Sequence, residues 1–246
     1  MVELHHFAQP KAVSTVVLST VTILLSLMHA PYLRASEVPS PVVSGPIPSS
    51  SKPGDPGHSY VFYSTPMDLS KVGYIEQEYF ISGTAMRYSV PTTAGNATAI
   101  GTMPYRTRIV IRRPASAQAF AGVVVVDWQN VTAGQDVDTE WAAAGEFFVR
   151  TGWAWVGASV QRIGVHGFDS PNPFANRGLK QWSPARYKSL DVTNSGAVLD
   201  DSQSYDIYSQ IAQMLKRISI CSAIDYCRLP GPQAVHVCPK KGRRIV

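Results

Sequence analysis

Few residues in this chain have both the type and the setting for covalent chemistry. Gly157-Ala158-Ser159-Val160-Gln161 comes nearest. A serine nucleophile held on a tight strand-to-helix turn needs small residues on both sides, as in G-x-S-x-G. Here the fifth position is Gln161, and the stretch Arg162 to Gly167 reads as loop rather than helix. No other G-x-S-x-G occurs in the sequence. Ser159 is therefore read as a serine closing a buried strand, not as a nucleophile.

The remaining reactive side chains are sparse. His5, His6 and His29 fall in an N-terminal apolar leader and His58 in a proline-rich segment, which leaves His166 and His236. His166, flanked by glycines after a buried strand, is a pocket candidate, although a loop histidine with no catalytic task is the stronger reading. Asp136, Asp138 and Glu140 alternate along DVDTE but lack the glycine and ligand spacing of a calcium loop. Cys221, Cys227, His236 and Cys238 lack paired C-x-x-C spacing, so no metal site is expected. There is no G-x-G-x-x-G and no G-K-[ST] after a strand, so no nucleotide cofactor is expected.

One loop stands out, Gln129-Asn130-Val131-Thr132-Ala133-Gly134, directly after four consecutive valines. In open α/β sheets ligands gather outside the carboxyl ends of the strands. Acyl-transfer enzymes of that architecture take a backbone N–H from such a loop to hold a developing oxyanion. Gln129, Asn130 and Val131 are the candidate pocket residues. A plain polar turn capping the next helix ranks second. A glycan on Asn130, within Asn130-Val131-Thr132, ranks third, and it would exclude a pocket role.

The elements that must position this loop follow from periodicity. Residues 73–90 form a β-rich run broken at Gly83, and RTRIVIRRP (106–114) alternates basic and aliphatic residues as a half-buried strand does. The two are expected to pair as an antiparallel hairpin with a long connection. GVVVVDW and WAWVGASV read as strands buried on both faces. Between them, residues 137–152 place Trp141, Gly145, Phe148 and Val149 on one helical face, with acidic residues near the start and Gly152 at the stop. Residues 204–220 carry Ile207, Ile211, Met214 and Leu215 on a common stripe. Strands alternating with helices predict an α/β fold with a mainly parallel sheet covered on both faces.

Composition sets the outer limits. At 246 residues, 45% hydrophobic and 16% charged, the chain can bury a sizeable core. Of its formal charge of +5, Lys240, Lys241, Arg243 and Arg244 supply +4 in one cluster, so no nucleic-acid surface is expected. Residues 1–35 have the layout of a signal peptide, with an uncharged run over 12–28; an uncleaved membrane anchor is the alternative. Residues 36–59, dense in Pro, Ser and Gly, read as a linker or extended surface arm, and residues 60–246 as the folded domain. The sequons at Asn96 and Asn130 suit a secreted chain. Three cysteines leave one without an internal partner; Cys221–Cys227 is one pairing, and a partner outside this sequence is another.

GYIEQEYFISGTAMRY, VVVVDWQNVTAG, WAWVGASVQRIGV and SYDIYSQIAQMLKR, in that order, resemble the N-terminal half of an α/β-hydrolase. They are most similar to the secreted esterases grouped as "alpha/beta hydrolase domain" proteins. The resemblance runs from about Val38 to about Arg217. It implies a serine hydrolase of carboxylic esters, with a serine, a histidine and an acid and no cofactor. In such folds the serine follows the fifth strand, and residues 241–246 resemble that strand's beginning. No residue here matches the three catalytic positions. The resemblance thus implies a chain that ends before the nucleophile elbow and is inactive alone. It would bind a small ester only when completed by a C-terminal half. A non-catalytic binding module on the same scaffold is the alternative.

Overall fold

The computed structural model describes residues 38–89, 95–168, 170 and 177–217, together with the backbone of 244–245. Six strands form one sheet: β1 (Val42–Ser44), β2 (Tyr74–Tyr88), β3 (Ala99–Pro114), β4 (Val123–Trp128), β5 (Ala154–Ala158) and β6 (Arg244–Ile245), in the order β1-β2-β3-β5-β4-β6. The expected hairpin is present: β2 and β3 run antiparallel from Tyr74 opposite Pro114 to Tyr88 opposite Ala99, and β2 passes through Gly83 without the expected break, because Gly83 pairs with Tyr105 and makes room for its ring. The parallel part is smaller than the sequence led us to expect. Only β4–β5 and β4–β6 are parallel, whereas β1–β2, β2–β3 and β3–β5 are antiparallel. The reason is the length of β2 and β3. Their hairpin supplies about two thirds of the sheet's strand residues, and β3 docks antiparallel on the buried β5 rather than through a helical crossover.

Helices cover both faces. On one side α1 (Thr139–Thr151) buries Trp141, Gly145 and Phe148 against Trp155 and Val110. On the other, α5 (Ser204–Arg217) buries Ile207, Ile211, Met214 and Leu215 against Ile109, Ile111, Val124 and Val156. Both stripes follow the 3.6-residue period. Gly152 stops α1 in the left-handed conformation, φ 70°, with its N–H bonded to the Phe148 and Val149 carbonyls. Ala119 leaves no room for a side chain there.

Three short helices were not legible as such. These are α2 (Arg162–His166), α3 (Leu179–Trp182) and α4 (Pro184–Tyr187). Helices of four or five residues are too short to show a period. The proline-rich segment carries β1 and is bound to the sheet and α4. Ile47 N–H donates to the Glu78 carbonyl at 2.8 Å, and Arg186 Nη1 donates to the Pro48 carbonyl at 2.7 Å.

The alternation in β3 is also resolved. Its arginines were expected on a solvent face, yet Arg108, Arg112 and Arg113 are all buried. Carboxylates from β2 and from the segment before α1 meet two of them: Glu78 and Asp136 at Arg108, Glu76 and Asp138 at Arg112. Among the described residues no helix is long and apolar enough to cross a membrane. Residues 12–28 and the three cysteines lie outside the described residues, as do His236 and the chain before Val38.

Candidate functional site

The loop after β4 lies at the carboxyl end of the parallel strands. Its neck is closed by backbone: Asn130 N–H donates to the Val137 carbonyl at 3.2 Å, and Val137 N–H returns to the Asn130 carbonyl at 2.9 Å. Gln129 N–H continues the ladder to Ala158 O at 3.3 Å. The Asn130 side-chain oxygen accepts Thr132 N–H at 2.9 Å, and Gly134 N–H donates to Val131 O at 2.9 Å. Of the three backbone donors at Gln129, Asn130 and Val131, only Val131 N–H has no acceptor among the described residues.

Side chains fix the loop from beneath. Gln129 is 3% exposed and lies over Gly157, where a Cβ would collide with its Nε2; its Oε1 is buried without a hydrogen-bond partner. Asp136 is wholly buried. Its Oδ2 accepts the Ser159 hydroxyl and an Arg108 Nη2 at 3.4 Å. Burial pushes the Asp136 carboxyl above the ordinary carboxylate range, against the pull of Arg108 and Ser159.

This contact engages the Ser159 hydroxyl. A short helix does follow it, so the segment is strand–turn–helix after all. The serine is nevertheless 1% exposed; its Oγ donates to Asp136 and accepts Arg108 Nε at 3.1 Å. It is a structural hydroxyl.

His166 does not join the loop's contacts. It is partly buried, with Nε2 3.3 Å from Asp191 Oδ1 and 3.2 Å from Val192 N, and its carbonyl accepts Gln181 Nε2. These bonds tie α2 to α3 and to the segment after α4. Asn96 and Asn130 are both exposed, Asn96 on the connection between β2 and β3. Among the described residues no group of three or more His, Cys, Asp or Glu side chains could hold a metal ion.

A second pair of acids flanks the loop. Asp127, the next-to-last residue of β4, is 4% exposed and accepts Trp155 Nε1 at 3.2 Å. Burial, and then its hydrogen bond to Glu140 in the first turn of α1, push Asp127 up to about 8. Burial acts on Glu140 in the same sense, but accepting that proton holds it below its ordinary value. Nothing in the spacing of these residues announced the pair, nor the Asp136–Ser159–Arg108 contact.

Residues 43–228 match the family described as alpha/beta hydrolase domain. The chain belongs to this family. No curated protein and no solved structure is matched. In this alpha/beta hydrolase domain the match takes in β2 through α5, and with them the whole loop from Gln129 to Val137.

Proposed function

We propose that this domain is the oxyanion-bearing half of a secreted serine hydrolase of carboxylic esters. Its nucleophile would come from chain following β6, and residues 1–246 would not turn over an ester by themselves. The observation that supports this is the Val131 N–H, unengaged among the described residues, on a loop at the carboxyl end of β4. A donor fixed in advance where negative charge develops is the largest single contribution in acyl transfer. Strand β6 supports the same reading. It runs parallel to β4, with Ile245 opposite Val124. A strand continued in that register would reach the level of Trp128 four positions later and deliver its next turn beside Val131.

The test begins with the transcript past the codon for Val246. A G-x-S-x-G within a few residues, in any frame, supports the reading. The longer protein should then hydrolyse nitrophenyl esters and be labelled by a fluorophosphonate, while the 1–246 chain should do neither. Robust turnover by the 1–246 chain would defeat the proposal. Binding of an ester without turnover, with no elbow downstream, would replace it with the binding-module reading. For secretion, the mature N-terminus in culture medium should lie at or near Ser36.

A further inference from the structure

Asp136 has a loop residue's place in the chain and a core residue's burial. The tip of its loop is exposed at Asn130, Thr132 and Ala133, yet Asp136 has no exposed surface. A buried carboxylate is costly unless charge and hydrogen bonds answer it. Here they do. Arg108 donates to Asp136 at 3.4 Å and to Glu78 Oε1 at 2.8 Å; Glu78 in turn accepts Tyr187 Oη at 2.8 Å and Arg186 Nε at 2.7 Å. Two arginines thus face two carboxylates, and the cluster is neutral.

Closing the loop does not need this arrangement, because the paired backbone bonds of Asn130 and Val137 already close it. What the carboxylate adds is a fixed position for the closed loop over the end of β5. Its Oδ2 holds Ser159, the residue next after β5, and Ser159 N–H is itself bonded to the Arg108 carbonyl at 3.2 Å. Asp136 Oδ1 and the Val131 side chain press on the same surface, Gly164 of α2, where an added Cβ would collide with Asp136 and lie 3.2 Å from Val131 Cγ1.

We propose that Asp136 is the positioning residue of the oxyanion loop: clamped between Ser159 and Arg108, its carboxylate sets where the Val131 N–H stands. This rests on the ester-hydrolase reading. It also makes a claim about the loop that can be measured with no substrate present.

Hydrogen exchange on the 1–246 chain tests that claim. Asp136→Asn keeps the shape and removes the charge. Amides in 129–137 should exchange at least tenfold faster in the variant, while those of β2 and β3 stay unchanged. Unchanged loop exchange would overturn the proposal. A uniform rise across the chain would overturn it too, because Asp136 would then be serving global stability only. Should Asp136→Asn not fold, Ser159→Ala, which removes one of the two clamps, is judged by the same loop-against-hairpin comparison. In a longer form that hydrolyses esters, Asp136→Asn should lower kcat about 30-fold with KM within threefold. A loss confined to KM would contradict a positioning role. Absence of turnover in the unmutated longer form would sink the ester-hydrolase reading, and the exchange result would still decide whether Asp136 holds the loop.

Discussion

Arg108 and Arg112 stand four positions apart on one face of β3, each between carboxylates and aromatic rings. Arg108 lies over Phe62 and Tyr187, and Arg112 over Trp141 and Trp155 at 4.9 and 4.7 Å. Removing Arg108 leaves the wholly buried Asp136 without its cation and Glu78 with Arg186 alone. Arg108→Met should therefore destabilise the fold by about 3–5 kcal/mol, the range for breaking a buried pair by deleting one partner. Denaturant titration measures this, and a loss under 1 kcal/mol would mean the acids are solvated. Asp127 gives a second test at this scale. An unfolded chain releases its proton near the ordinary value of 3.8, and the folded chain holds it to about 8. Between those values the unfolded state alone ionises, so stability falls as pH rises from about 4 to about 8 and is level above. Asp127→Asn should make that decline shallower, leaving the part due to Asp136 and Asp138, whose buried carboxyls are also raised. Thermal midpoints of both proteins across the window decide it. These residues mark the limit of reading a sequence. Alternation in RTRIVIRRP located the strand, but the acids that bury its arginines lie about 30 positions away in Glu78 and Asp136, and spacing cannot reveal them.

At the scale of elements more of the fold is legible in the sequence. The apolar stripes of α1 and α5, the hairpin and both buried strands are where periodicity put them, because each buries a face against one dominant partner. The loop at Gln129–Val131 was also locatable, since a buried strand followed by polar residues must end at a sheet edge. Which of its N–H groups is left unengaged was not, because that depends on the carbonyls of Ala158 and Val137. Packing between elements is equally silent in one dimension. Gly157, opposite Asp127 in the β4–β5 ladder, leaves the space that Gln129 and the Trp155 ring fill. Gly157→Ala should cost about 1–3 kcal/mol, as overpacking a filled core does. It should also shift the indole fluorescence of Trp155. A variant as stable as the parent would show that the Gln129 side chain can leave without loss.

At the scale of the molecule, the β4 edge decides behaviour in solution. Strand β6 pairs with Val123 and Val124 only, so among the described residues the outer side of Val125–Trp128 has no strand beside it. Trp128 sits at the end of that edge with Tyr205 and Tyr208 at 5.2 and 5.3 Å between ring centroids, and Tyr205 is 70% exposed. Tyr208 Oη covers one point of this edge, donating to the Val126 carbonyl at 2.5 Å; the rest, bordered by aromatic rings, is a template for another strand. We therefore expect the purified 1–246 chain to self-associate as its concentration rises, with sedimentation velocity showing species beyond the monomer. Tyr205→Lys places a charge beside the edge without touching the core, and should shift the distribution back towards monomer. A parent chain that stays monomeric at every concentration would mean that this edge is already covered. β4 would then offer no open edge for a continued β6 to fill, whatever the shape of the loop at Val131.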